Sequence, residues 1–234
     1  MNNMSWFVAE IIGTFALIFM GVGAICTNEM LPGTVGMLGI AIAHGIAIAI
    51  MVSALAHISG GKFNPAISFG LFVGNRISAQ RMSLEIVAQL VGAVLAAAAI
   101  WLIVPEIVTN AVKLGAPALS NGTTVWAGII AEAIATFFLV LTVYGTAVDP
   151  RGSWRAVAGF AIGWSIVIGI LAIGGLTGAA LNPARAFGPA LVSSNWADHF
   201  VYWAGPLTGG GLAGLLYGRW MIGENPQKVA VVEK

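Results

Sequence analysis

The sequence predicts an all-α membrane protein in which six transmembrane helices and two re-entrant half-helices form an inverted repeat. Hydrophobic residues make up 59% of the 234 residues and charged residues only 8%, against about 25% in an ordinary soluble domain. Several charge-free stretches reach the length of about 20 residues that a helix needs to cross a bilayer. In addition, similar segments recur in the same order in both halves of the chain. This composition excludes a soluble enzyme, a nucleic-acid-binding protein and a disordered chain.

The apolar stretches divide into six predicted spans and two shorter pieces. The spans are expected at about 5–26, 35–57, 83–104, 125–147, 155–175 and 199–221. The shorter pieces follow the second and the fifth span, at about 58–74 and 176–193. Neither piece is long enough to cross the bilayer once its loop is subtracted, so each is expected to enter the membrane and return to the same side.

Lysine and arginine are concentrated in the loops on one side of the predicted spans. These residues are Arg76, Arg81, Arg151, Arg155, Arg219, Lys228 and Lys234, whereas the opposite side has only Lys113 and Arg185. Since cytoplasmic loops carry an excess of basic residues, both termini are expected in the cytoplasm. We expect a multi-pass protein of the plasma (inner) membrane.

The chain is expected to form a single domain, residues 1–234, that consists of two repeats. The repeats cover about residues 1–115 and 120–234. Ala9–Phe15 is similar to Ala131–Phe137, and Ser59–Ala66 is similar to Thr177–Ala184. Each repeat contains three spans, and because three is an odd number the second copy is inverted in the membrane.

Each short apolar piece contains the tripeptide Asn-Pro-Ala. Asparagine followed by proline is a favourable start for a helix, so each half-helix is predicted to have its proline at the first position. The short apolar runs Ile67–Val73 and Arg185–Val192 would follow. Because the repeats are inverted, the half-helices enter from opposite faces and their N-termini meet near the middle of the membrane. Non-helical backbone at that depth is tolerated only beside protein or water. The sequence therefore predicts a water-lined path through each chain.

The two motifs resemble the signature of the aquaporin family. They are Asn64-Pro65-Ala66 and Asn182-Pro183-Ala184, and Arg185 follows the second. The resemblance covers essentially the whole chain. It implies a passive water channel with no enzymatic activity, no cofactor and no metal, which forms a homotetramer in membrane lipid with one pore per subunit.

The resemblance also implies roles for the residues around the motifs. The amides of Asn64 and Asn182 would donate to a water molecule at the pore centre, where the helix dipoles oppose protons and other cations; the alternative is that both asparagines only cap their helices. Arg185 would lie at the outer constriction, the alternative being a structural pair with a carboxylate. Glu10 and Glu132 would hold the loop N–H groups, the alternative being exposed side chains that reach the membrane surface. Pore-facing carbonyl groups are expected at Gly60, Gly61, Lys62, Gly178 and Ala180.

The four constriction positions of the family map to His44, Ile170, Ala179 and Arg185. Strict water channels usually have Phe, His, Cys or Thr, and Arg at these positions. The set found here is similar to that of plant tonoplast aquaporins and ammonia-permeable relatives, so ammonia is expected as a second permeant. The alternative for His44 is a structural hydrogen bond to a neighbouring helix.

Two other functions remain open at this stage. A facilitator of glycerol, urea or another small neutral solute is the main alternative, although such proteins carry aspartate where this chain has Ala186. A secondary transporter is less favoured, because it needs a coupling carboxylate and only Glu10 and Glu132 are candidates.

Asn121-Gly122-Thr123, in the loop that joins the repeats, is a glycosylation sequon, a pattern that also arises often by chance.

Overall fold

The protein is all-helical in a computed structural model that describes residues 4–152 and 155–222. Within these described residues, five helices are long and apolar enough to cross a membrane. They are α1 (Ser5–Met30), α2 (Gly36–Ser59), α4 (Ala79–Ile103), α6 (Val125–Val143, continued by a π-helical turn at Tyr144–Val148) and α7 (Ala158–Thr177). The first five predicted spans are thereby confirmed. Lys228 and Lys234, which contribute to the predicted orientation, lie outside the described residues.

The sixth predicted span is helical but is not α-helical throughout. Helix α9 covers Val201–Ala213, and the chain continues in π-helical geometry over Gly214–Met221. At this point the chain passes very close to a half-helix, because a Cβ atom added to Gly214 would overlap the carbonyl oxygen of Gly70. Hydropathy alone gives no sign of this change in helix type.

Both predicted half-helices are present, and each begins at its proline, as expected. Helix α3 covers Pro65–Val73 and helix α8 covers Pro183–Ser193. The loop between the repeats also contains structure that was not predicted, namely helix α5 (Glu106–Ala111) and a 3₁₀ turn at Lys113–Gly115.

Helix packing repeats between the two halves of the molecule. Helix α1 packs against α2 and α4, and α6 packs in the same way against α7 and α9, while α2 and α7 join the halves. Each half-helix also packs against the last long helix of the other repeat, α3 against α9 and α8 against α4. This exchange brings the N-termini of α3 and α8 together in the middle of the bundle.

Equivalent glycines permit the closest helix contacts in the two halves. A Cβ atom at Gly92 would overlap the carbonyl oxygen of Ile11, where α4 crosses α1. In the second repeat, a Cβ atom at Gly209 would overlap the carbonyl oxygen of Ala133, where α9 crosses α6. Small residues at such crossings let membrane helices pack backbone against backbone, so both repeats hold their half-helix in the same frame.

A candidate pore between the two half-helices

Asn64 and Asn182 cap the two half-helices. The Oδ1 atom of Asn64 accepts a hydrogen bond of 2.8 Å from the backbone N–H of Ala66, and that of Asn182 accepts one of 3.0 Å from Ala184. Pro65 and Pro183 occupy the first helical position, where the missing N–H costs nothing. The capping role expected from the sequence is therefore present in both repeats.

The same two asparagines also link the repeats to each other. The Nδ2 atom of Asn64 donates to the carbonyl oxygen of Leu181, and that of Asn182 donates to the carbonyl oxygen of Phe63, both at 2.9 Å. Phe63 and Leu181 both have a φ angle of +52°, which is uncommon for large side chains. This backbone conformation turns each carbonyl group towards the asparagine of the other repeat.

Glu10 fixes the loop that leads into the first half-helix. Its Oε1 atom accepts hydrogen bonds from the Ser59 hydroxyl at 2.7 Å and from the backbone N–H of Lys62 at 3.1 Å. Its Oε2 atom accepts from the N–H of Phe63 at 2.8 Å and from the amide of Gln89 at 2.8 Å. The carboxylate is fully buried, so the structure does not support the alternative that Glu10 reaches the membrane surface.

Glu132 fixes the second loop through an equivalent set of bonds. Its Oε1 atom accepts from the Thr177 hydroxyl at 2.7 Å and from the N–H of Ala180 at 2.9 Å, and its Oε2 atom accepts from the N–H of Leu181 at 2.7 Å. This carboxylate is also fully buried. Each buried carboxylate thus satisfies backbone N–H groups that would otherwise lack partners at this depth.

A cavity passes between the capped ends of α3 and α8. It is lined by the two asparagines, by the four residues of the expected constriction, by loop residues and by apolar side chains of the long helices. The full set is Leu17, His44, Ile48, Lys62, Asn64, Ile67, Leu139, Ile166, Ile170, Ala179, Ala180, Leu181, Asn182 and Arg185. The wall is therefore apolar, with polar groups at a few positions.

His44 and Arg185 are held by backbone carbonyl groups. The Nδ1 atom of His44 lies 2.8 Å from the carbonyl oxygen of Ile40, in the same helix. The ring packs against α1, because a Cβ atom at Gly21 would overlap it. The Nη1 atom of Arg185 donates to the carbonyl oxygen of Gly115 at 2.7 Å. The alternative for His44 was a bond to a neighbouring helix, but the observed bond is within its own helix. The alternative for Arg185 was a pair with a carboxylate, but its observed partner is a backbone carbonyl group.

The expected carbonyl positions fall into two groups. Lys62 and Ala180 line the cavity, whereas Gly60, Gly61 and Gly178 are not among its lining residues. All three glycines have positive φ angles and form the turns that lead from α2 and α7 into the loops.

Within the described residues, no three His, Cys, Asp or Glu side chains are close enough together to bind a metal ion.

Several residues of the site were missed from the sequence. Gly115, which holds Arg185, lies in the loop that joins the repeats, where the sequence analysis placed no site residue. Apolar wall residues were also missed, although they follow the spacing of the repeat: Leu17 corresponds to Leu139, and Ile48 corresponds to Ile166. The separation of Glu10 from Glu132 would have identified the first pair, and that of Asn64 from Asn182 the second.

Comparisons with known proteins agree with this architecture. A family model described as major intrinsic protein matches residues 1–217. The chain is 43% identical over 235 residues to a Zea mays protein named aquaporin TIP2-2, and the alignment covers 98% of this chain and 92% of that protein. It is 44% identical to a Medicago truncatula protein named probable aquaporin TIP-type, over 90% of this chain and 84% of that protein.

A solved structure shares the fold. The X-ray structure of the aquaglyceroporin from Plasmodium falciparum superimposes with a TM-score of 0.85, over 93% of this chain and 96% of that chain. The two sequences are 22% identical, so this similarity concerns the fold alone.

Proposed function

This chain belongs to the major intrinsic protein family, and from that premise we propose that it conducts water passively, passes ammonia as a second solute, and excludes protons and other ions. The family and the TIP-type aquaporin relatives support the water channel itself. The finer statements about ammonia and ions rest on the geometry around the two asparagines and the constriction.

The observation that carries the proposal is the position of the two capped N-termini beside the cavity. Each asparagine amide has two hydrogens, and one of them donates to the opposite repeat. We propose that the second hydrogen donates to a pore water. A water that accepts from both asparagines points its own hydrogens away from the centre, which interrupts the hydrogen-bonded chain that a proton would follow.

Positive potential from two sources opposes cations. The N-terminus of a helix carries about half a positive elementary charge, and α3 and α8 both direct this end towards the asparagines. Arg185 adds a full charge beside the same cavity. A cation that enters the pore loses its hydration shell, and no carboxylate takes the place of that water. Glu10 and Glu132 are not free to do so, because they accept hydrogen bonds from the loop N–H groups.

The composition of the constriction supports ammonia as a second permeant. His44, Ile170, Ala179 and Arg185 line the same cavity. Ile170 gives one side of the wall no polar group, while Ala179 leaves the neighbouring backbone accessible. Ammonia is similar to water in size and has a lone pair that can accept from Arg185, whereas its cation is repelled by the guanidinium charge.

Stopped-flow measurements on proteoliposomes that contain the purified protein test the proposal. We expect fast, non-saturating water flux without an ion gradient, and ammonia flux above that of empty vesicles. Urea and glycerol fluxes should stay near the empty-vesicle rate. Saturating transport that requires an ion gradient would indicate a secondary transporter, and glycerol flux comparable with that of water would indicate a facilitator.

Assembly and placement in the membrane complete the proposal. The protein is a multi-pass integral membrane protein, and we propose a single domain of two inverted repeats, about 1–115 and 120–234, that forms a homotetramer with both termini in the cytoplasm. The orientation rests on the excess of arginine in the loops at one side. The expected plasma-membrane location has no support from the relatives, which are named as TIP-type aquaporins.

A further inference from the structure

Tyr202 lies behind the constriction, outside the set of residues that line the cavity. Its side chain is fully buried in α9, and its hydroxyl donates a hydrogen bond of 2.8 Å to the carbonyl oxygen of Thr177. The ring belongs to a small buried cluster that includes Ala180 and Ala186. Ala180 lines the cavity, and Ala186 directly follows Arg185. Tyr202 is thus packed with residues on both sides of the second Asn-Pro-Ala motif.

Thr177 begins the turn that leads from α7 into the second pore loop. Its hydroxyl donates to Glu132 at 2.7 Å and accepts from the backbone N–H of Ala179 at 3.0 Å. Gly178 and Ala179 then have φ angles of +75° and +47°, a conformation that is uncommon for alanine. The last carbonyl groups of a helix have no partner within it, and Tyr202 supplies that partner for Thr177. The phenol therefore holds the side of the turn that the threonine hydroxyl does not reach.

The equivalent carbonyl group of the first repeat is also held, but by different chemistry. It belongs to Ser59, and it accepts from the Nζ atom of Lys62 at 2.7 Å and from the Nη2 atom of Arg81 at 3.1 Å. Tyr202 corresponds in sequence to Glu85, the buried carboxylate that pairs with both of these cations. Unrelated side chains thus do the same at both places, so a donor to this carbonyl group is a shared feature of the two repeats.

The two pore loops differ in what they contribute to the constriction. Two of its four expected positions, Ala179 and Arg185, belong to the second loop and its half-helix, and both line the cavity. Gly61 is the equivalent of Ala179 in the first repeat, and it is not among the lining residues. A shift of the turn after α7 would therefore move a wall of the constriction directly, whereas the same shift after α2 would not.

We propose that Tyr202 is a positioning residue for the constriction, which keeps the opening narrow by fixing the turn from Thr177 to Ala179. The inference rests on the proposed channel function. The phenol acts through the backbone of the loop and not on the solute, because the ring lies behind the wall. Without the hydroxyl, the carbonyl group of Thr177 loses this donor. The turn is then free to shift, and the opening admits a larger neutral solute such as urea.

Tyr202→Phe removes the hydroxyl and keeps the ring, and Tyr144→Phe is its matched control. Tyr144 is also fully buried, and its hydroxyl donates to the carbonyl oxygen of Gly70 in α3 at 2.9 Å. Both variants lose one buried bond of the same kind, so both should lose similar thermal stability in detergent. In proteoliposomes we expect the urea-to-water permeability ratio of Y202F to rise about fivefold above that of the wild-type protein, which corresponds to about 1 kcal/mol of barrier. The ratio of Y144F should stay at the wild-type value.

Hydrogen–deuterium exchange in detergent locates the change without any measurement of flux. Exchange of the backbone N–H groups of residues 178–181 should be faster in Y202F than in the wild-type protein and unchanged in Y144F. An unchanged urea-to-water ratio in Y202F, an equal rise in both variants, or unchanged exchange at residues 178–181 in Y202F would overturn the inference. Absence of water flux in the wild-type protein would instead overturn the proposed channel, and the exchange rates would still show whether Tyr202 holds the turn.

Discussion

The side-chain amide of Asn64 donates to the carbonyl oxygen of Leu181 across a sequence separation of 117 residues. Asn182 makes the reciprocal bond to Phe63. The two half-helices enter the molecule from opposite faces, so these bonds join the two repeats where the half-helices meet. Each asparagine therefore supports both its own helix and the opposite repeat.

Asn64→Asp separates these two tasks. Aspartate keeps an oxygen that can cap the N–H of Ala66, but it has no hydrogen to donate to Leu181 and places two acceptor oxygens near each other. Since an unsatisfied buried polar group costs about 1–3 kcal/mol, we expect a lower thermal unfolding temperature in detergent and reduced water permeability. Asn121→Asp, at an exposed loop position, is the control. Equal unfolding temperatures for the two variants would contradict the proposed link between repeats.

Substitution of the buried carboxylates tests the loop supports. Glu10→Gln and Glu132→Gln each turn an acceptor into a donor that faces backbone N–H groups. We expect each to destabilise the protein by about 1–3 kcal/mol, with the larger loss at Glu10 because it also accepts from Gln89. Thermal unfolding in detergent measures the effect, with the exposed Glu29→Gln as control. A normal stability of both variants would show that the carboxylates do not hold the loops.

The sequence predicted the architecture because the repeat is visible in the residues that the pore requires. The Asn-Pro-Ala motifs, Glu10 and Glu132 occur at nearly constant offsets, and three spans per repeat determine the inversion. The missed wall residues Leu17 and Ile48 have partners in the other half. Other contacts that were missed lack such a partner. Gly115 holds Arg185 from a connecting loop, and Lys62 with Glu85 has no charged counterpart at Ala180 and Tyr202. Contacts of this kind depend on the packing of distant segments, which local patterns do not encode.

Gly21→Ala tests whether the position of His44 depends on helix α1. The added Cβ atom would overlap the imidazole ring, so the ring must move and the constriction must change shape. We expect a change of severalfold in the ratio of ammonia to water flux. Gly175→Ala is the control, because nothing lies within 4 Å of its added Cβ; alanine there should leave the ratio unchanged and favour the helix by about 1 kcal/mol. The same ratio in both variants would place His44 outside the constriction.

Asp149 and Arg151 provide a pH-dependent contact at the end of the fourth span. Hydrogen bonds from Arg151, the shortest at 2.6 Å, lower the pKa of the Asp149 carboxyl to about 2. Because the pKa is lower in the folded state than in the unfolded state, the stabilisation is present above about pH 4 and is lost as the pH falls towards 2. We expect Arg151→Ala to lower the unfolding temperature slightly at pH 7 and by clearly less at pH 2. A deficit that is the same at both pH values would contradict this assignment; Lys113→Ala, also exposed, is the control.

The combined variant His44→Phe and Ile170→His tests the solute range most directly. It gives the first two constriction positions the residues usual in strict water channels, while Ala179 and Arg185 remain. Phenylalanine keeps a ring against Gly21 but has no nitrogen beside the carbonyl of Ile40, and the new histidine restores a polar group to the wall opposite. A hydrogen bond is worth about 1 kcal/mol, so the ammonia-to-water permeability ratio should fall about fivefold.

The two single variants should give intermediate ratios if both positions contribute. Stopped-flow measurements of water and ammonia flux in the same vesicles give this ratio without dependence on the amount of inserted protein. A ratio in the wild-type protein no higher than in the double variant would refute ammonia conduction through this constriction.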